Sequence, residues 1–220
     1  MSNKSASGLR SFFITVEGME GAGKSTNIST MCEVMADRGV DFVVTREPGG
    51  TGIAEQIRQL LLAADEGESL VPTAELLLIF ASRAQHIEHV IRPALARGQW
   101  VLCDRFTDAT YAYQGGGRGM CNQSMATLEA LVQQELQPDA TIVLDVSVDV
   151  SKQRARARGE LDRFERESDA FFERVREAYH QRVSSDAGRY HMIDATKTLD
   201  SVQTDVAAVM NALIDRAQGV

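Results

Sequence analysis

The chain has 220 residues, a formal charge of −8 and 25% charged side chains. That length suits one α/β core, and the acidic balance argues against a surface that coats nucleic acid. Cys32, Cys103 and Cys121 show neither pairing nor CxxC spacing and read as reduced thiols of a cytoplasmic protein, no apolar run reaches membrane-spanning length, and residues 1–10 read as a flexible polar lead-in.

The first predicted element is a buried parallel strand, from the apolar, β-branched run Phe12–Val16. It feeds Gly18-Met19-Glu20-Gly21-Ala22-Gly23-Lys24-Ser25 and then Thr26. Apolar residues follow at helical spacing, Ile28, Met31, Cys32 and Met35, up to a stop at Arg38-Gly39. In such a strand–glycine loop–helix unit, backbone N–H groups cradle phosphates, the lysine reaches the β/γ-phosphates and the hydroxyl meets Mg²⁺. Residues 18–26 are therefore assigned to ATP, with Ser25 on the metal. Glu20 is unexpected, a carboxylate in a loop built for a polyanion. No arginine stands among Met19, Glu20 and Ala22, so the transition-state guanidinium must come from elsewhere, leaving Glu20 for a sugar hydroxyl or a magnesium-held water.

Four more strand-like runs follow: Val40–Thr45, Gln99–Asp104, Ala140–Val146 and Tyr190–Ile193. Helical patterns between them predict an α/β fold, a five-stranded parallel sheet flanked by helices in three layers. Ligands bind at the carboxyl ends of such strands, where Glu17, Arg46-Glu47-Pro48-Gly49-Gly50, Asp104-Arg105 and Asp145 fall. Pro72–Arg97 reads as a long helix, buried on all sides along Leu76–Phe80 and kinked or restarted at Pro93. Phe80 and Arg83 share a helix face, as a core ring beside a surface arginine or as a pair suited to a flat base. His86 and His89 have no third ligand and read as a solvated face, not a metal site.

The stretch "SKQRARARGELDRF" gathers Arg154, Arg156, Arg158 and Arg163 in an acidic chain. Arg154 and Arg158 share a helix face while Arg156 points away. Residues 150–164 are expected to form a mobile lid that brings arginine to the phosphates. Leu199, Val202, Val206, Val209 and Leu213 form an apolar face on the last helix, either core packing or a dimer seam.

Through the P-loop, "TREPGGTG", "ASRAQH", "CDRF", "YAYQGGGRG", "LDV", "RARARGELDRFE" and "IDAT", the sequence resembles the bacterial thymidylate kinases over nearly its whole length. The resemblance implies a single P-loop kinase domain over 1–220 that moves the ATP γ-phosphate to dTMP with Mg²⁺, in a cytoplasmic homodimer that binds neither nucleic acid nor membrane. It implies that Glu20 meets the dTMP 3′-hydroxyl and the Mg²⁺ region, and that Arg105 holds the dTMP phosphate, with Arg46, Glu47 and Pro48 lining the same pocket. Arg83 would meet the thymine edge with Phe80 or its neighbour stacking, although the stacking aromatic of such kinases lies four residues before the arginine, where Ile79 stands. Thr110 and Gln114 would read the base, and Tyr113 would pack on the deoxyribose. The catalytic set is thus Lys24, Arg105, Arg154, Arg158 and Glu20, and the metal set Ser25 and Asp104. The competing readings are another nucleoside monophosphate kinase and a nucleotide-dependent switch. The absence of NKxD and LSGGQ sequences speaks against the switch.

Overall fold

The computed structural model describes residues 10–63, 69–159 and 162–219, apart from the Arg158 side chain. Residues 1–9 of the expected lead-in lie outside the described part, whereas Arg10 is fixed by a 2.7 Å ion pair to Asp139.

Five strands form the sheet among the described residues: β1 Phe13–Glu17, β2 Phe42–Arg46, β3 Trp100–Asp104, β4 Ala140–Asp145 and β5 Tyr190–Asp194. Their order is β2-β3-β1-β4-β5 and every pairing is parallel. Every residue of β1 is buried, which is why its sequence runs continuously apolar until Glu17 instead of alternating. β1 is also the point where the strand order turns to both sides, so the crevice beyond its carboxyl end is the natural ligand site.

Helices α1 (Lys24–Asp37) and α9 (Leu199–Gln218) pack together on one face. Met31 and Met35 of α1 share a core with Val202, Val206, Met210 and Leu213 of α9. The apolar face of α9 is therefore core, with only Leu199 left half-exposed. Each such side chain taken from water contributes about 1.5–3 kcal/mol.

After β2 comes α2 (Gly52–Leu62), and the expected long helix is then α3 (Pro72–His86), a π-helical turn at Ile87–Ile91 and α4 (Arg92–Ala96) in succession. Pro93 opens α4, as expected of a restart. Burial on all sides of α3 is corrected: Leu76 and Phe80 are buried, but Leu77 is 52% exposed, because α3 packs on its neighbours α2 and α6 and leaves its other side to solvent. After β3 come α5 (Thr107–Thr110), a π-helical segment at Tyr111–Gly117 and α6 (Asn122–Gln133). Then α7 (Val148–Arg158) follows β4, and α8 (Asp169–Ser185) precedes β5.

Candidate active site

A cleft of about 540 Å³ opens beyond the carboxyl ends of β1, β2 and β3. The phosphate loop forms its floor. Gly18 and Gly21 carry positive φ, and a Cβ on either would stand about 2.5 Å from a carbonyl oxygen, of Leu144 or Ser151, so only glycine fits. Lys24 donates to the carbonyls of Gly18 and Met19 at 3.1 and 3.2 Å, folding the loop around its own ammonium. Burial first, then the nearby Arg105 guanidinium, pulls the Lys24 pKa down to about 8.

Glu20 points away from the loop's concave side. Arg105 donates to its Oε1 at 2.7 Å and the Tyr113 hydroxyl to its Oε2 at 2.5 Å. Burial opposes its charge, but Arg105 and Lys24 prevail and hold it below the usual carboxylate range. The carboxylate in the loop thus anchors the arginine of the neighbouring strand end.

Arg105 itself sits at φ 67, a left-handed conformation that costs a non-glycine residue on the order of 1 kcal/mol or more. Three contacts impose it. Its N–H donates to Val16 O at 2.9 Å, the Cys103 thiol donates to its carbonyl, and the next N–H, of Phe106, donates to Glu17 Oε1 at 2.7 Å. Glu17 is fully buried and also accepts from Tyr179. Burial, then the nearby Asp108 carboxylate, raises its pKa to about 7 against the lowering pull of Arg105.

A stability effect follows. Between pH 4.5, the ordinary glutamate value, and about 7 the folded protein holds a proton that the unfolded chain has released. This group's contribution therefore makes unfolding easier as pH rises through that window, and levels off above it. Glu17→Gln is expected to remove that slope. Urea midpoints from pH 5 to 8 in parent and variant should diverge at low pH and run parallel above 7; parallel curves throughout would contradict the assignment.

The second compartment is built from β2, α3 and the 105–114 segment. Arg83 is 1% exposed, with Nε on Glu47 Oε2 at 2.7 Å and Nη2 on Thr110 Oγ1 at 2.9 Å and Phe106 O at 3.1 Å. Its Nη1 has no hydrogen-bond partner among the described residues. Glu47, in a cis bond to Pro48, is held from its other oxygen by His86 at 2.9 Å, and His86 in turn meets Thr45 at 2.6 Å. The solvated reading of His86 is thus corrected: it is fully buried because Glu47 arrives from β2 to satisfy it, while His89 is exposed. Phe80 is corrected too. It is buried with Leu76 and Met125, under the Arg83 guanidinium, and the cleft wall is made instead by Ile79 and Phe106, because one residue along a helix turns about 100°.

The arginine-rich helix α7 packs against the loop. Ser151 Oγ donates to Glu20 O at 2.6 Å, and Arg154 Nη1 lies 3.0 Å from Ala195 O and 3.5 Å from Gly21 O. Arg154 lines the cleft and Arg156 is exposed, so the helical phase separates them as expected. The Arg158 side chain lies outside the described residues. Beyond α7, Arg163 reaches back to Leu61 O at 2.9 Å and Glu75 Oε2 at 2.6 Å.

Of the expected residues, Glu20, Gly21, Gly23, Lys24, Ser25, Thr26, Arg46, Glu47, Pro48, Arg83, Asp104, Arg105, Thr110, Tyr113, Gln114 and Arg154 all line this one cleft. Gly18, Met19 and Ala22 support the loop from behind, the last two buried in the core. Sequence reasoning missed Glu75, Arg58 and Phe164. Glu75 and Phe164 lie within segments already singled out, but only three-dimensional contact reveals their partners. For Mg²⁺, the Ser25 hydroxyl and the Asp104 carboxylate are hard oxygen donors, and Asp104 Oδ1 is buried without a partner among the described residues, so the residues fit such an ion.

A phosphate loop joined to a second, arginine-lined compartment under an arginine-bearing helix defines a P-loop nucleotide kinase. The family model for thymidylate kinase matches residues 16–206. The chain is 55% identical to a Pseudomonas putida thymidylate kinase, aligned over 96% of this chain and 100% of that one. It is 58% identical to one from Chromohalobacter salexigens, over 89% and 93%. The crystal structure of an Ehrlichia chaffeensis thymidylate kinase superposes with a TM-score of 0.72 at 32% identity, over 91% of this chain and 98% of that one. The chain belongs to the thymidylate kinase family.

Proposed function

We propose that this protein transfers the γ-phosphoryl group of ATP to dTMP, giving dTDP. The observation that carries the reading is the pair of cation sites facing one cleft, Lys24 with the loop on one side and Arg105 with Arg83 on the other. Phosphoryl transfer needs little covalent chemistry from the protein and is accelerated mainly by positioning and by charge placed where negative charge develops.

In this reading the loop N–H groups and Lys24 hold the donor phosphates, and Arg105, fixed by Glu20 and Glu17, holds the acceptor phosphate. Arg83 donates from its free Nη1 to a base carbonyl, with Ile79 and Phe106 walling the ring. Ser25 and Asp104 would hold Mg²⁺, which supplies charge neutralisation on the donor phosphates when bound. Arg154 adds a guanidinium from α7, and closure of the 150–164 segment excludes water. A cytoplasmic setting fits the three free thiols. A homodimer is part of the reading, supported by Ile53 and Leu60 of α2 and Leu77 of α3, which stay 52–60% exposed. A monomeric mass in sedimentation at assay concentration would count against it.

Acceptor choice tests the reading. ADP release coupled to a reporter should be fastest with dTMP among dTMP, dUMP, dGMP and AMP, and preference for another monophosphate would favour a sister kinase. Sugar choice is assigned to Tyr113, whose ring lies under Arg105 with its hydroxyl on Glu20. A 2′-hydroxyl pressed against that ring loses water without gaining a partner, a cost of about 1–3 kcal/mol. Tyr113→Ala should therefore narrow the preference for dTMP over its ribo counterpart by about tenfold. An unchanged ratio would place sugar selection elsewhere.

A further inference from the structure

Glu75 of α3 is fully buried and receives three side chains from two other segments, Gln114 and Arg118 from one and Arg163 from the other. Gln114 Nε2 donates to its Oε1 at 2.8 Å. Arg118 straddles it, with Nε 3.3 Å from Oε1 and Nη2 3.2 Å from Oε2. Arg163 Nη2 donates to Oε2 at 2.6 Å. Burial works against its charge, but the bonds from Gln114, Arg118 and Arg163 hold it below the usual range.

An ionised carboxylate can only accept. The Gln114 atom facing it is therefore the amide nitrogen, and the Gln114 carbonyl oxygen is the amide atom left for the cleft that this residue lines. The same cleft holds Arg83 Nη1, a donor without a partner among the described residues, on a guanidinium that Thr110, four residues before Gln114, fixes through Nη2. A donor next to an acceptor complements a ring edge bearing a carbonyl next to an N–H, which thymine and uracil have. Cytosine presents an amino group and a bare ring nitrogen there, the reverse pattern.

We propose that Glu75 is a specificity-determining positioning residue, which fixes the Gln114 amide so that the cleft accepts a base with a carbonyl beside a ring N–H and rejects the cytosine pattern. It rests on the dTMP reading above but goes beyond it, since Glu75 itself does not line the cleft.

The isosteric change Glu75→Gln makes the test sharp. At the Oε2 place an amide nitrogen would face Arg118 Nη2 and Arg163 Nη2, both obligate donors. The new nitrogen is thus driven to the Oε1 place, where it meets one fixed donor, Arg118 Nε at the longer 3.3 Å, instead of two, and where the Gln114 amide turns over to accept from it. The cleft then presents a donor where it had an acceptor. The dTMP:dCMP ratio of kcat/KM should fall at least about tenfold, through a raised dTMP KM with kcat within about threefold. Glu75→Asp, still acceptor-only, should keep the ratio within about threefold of the parent even if both KM values rise. A folded Glu75→Gln protein with the parental ratio would overturn the proposal, and so would a Glu75→Asp ratio that collapses. If Glu75→Gln does not fold, the Glu75→Asp ratio alone decides. A merely structural role would lower stability or turnover for both acceptors alike. A parent enzyme inactive on dTMP would strike the functional reading and this proposal with it, whereas an active parent with an unchanged Glu75→Gln ratio would strike this proposal alone.

Discussion

Lys24→Met is expected to lower kcat by about 10³-fold or more while leaving the fold intact. Lys24 is the loop's own cation, folded back onto the carbonyls of Gly18 and Met19 until phosphate replaces them. Its pKa, pushed down to about 8 by burial and by Arg105, means that its charge is a burden on the resting protein. Losing that charge should hold or raise the thermal midpoint, an effect opposite in sign to the loss of turnover. Single-turnover rates and melting curves measured together separate the two. Normal turnover would remove the phosphate-loop assignment, and a large drop in stability would show that the ammonium holds the fold.

The second large effect is expected at Arg154. The loop carries no guanidinium, yet Arg154 Nη1 lies within 3.5 Å of Gly21 O, over the place where phosphates would sit. A cation that stabilises developing charge more than ground-state charge lowers kcat when removed and leaves KM nearly unchanged. Arg154→Ala should thus reduce the single-turnover rate at saturating ATP and dTMP by about 10²–10³-fold. Arg156→Ala should stay within about threefold, since that side chain is exposed. Arg158→Ala measured beside them reports on the third arginine. Near-parental transfer by the Arg154 and Arg158 variants would move the catalytic charge to Arg105, Arg118 or the metal ion.

What was legible in the sequence is what period and steric need write locally. The five strands were readable to within two residues at each end, β1, β3 and β4 as buried apolar runs and the partly exposed β2 and β5 as short strand-like runs between helical patterns. The loop glycines were readable because a Cβ on Gly18 or Gly21 would run into the Leu144 or Ser151 carbonyl, a need that shows in the sequence as glycine. Pairings across the chain were not. His86 looked solvated until Glu47, 39 residues away, supplied its partner. Phe80 looked like a base platform because spacing fixes which residues share a face, but not which way that face turns. Glu20 was a puzzle for the same reason: its partner Arg105 lies 85 residues on. Glu17 and Glu75 each draw their meaning from donors far along the chain, and no local pattern marks a buried carboxylate as the residue that positions another.

The most direct test of the account follows the phosphoryl group itself. Incubating the protein with γ-labelled ATP, Mg²⁺ and dTMP, and separating the products, should place the label in dTDP in step with ATP consumption, with little hydrolysis when dTMP is omitted. Label appearing as inorganic phosphate at a rate that dTMP does not change would contradict transfer to a bound acceptor, and with it the assignment of the second compartment.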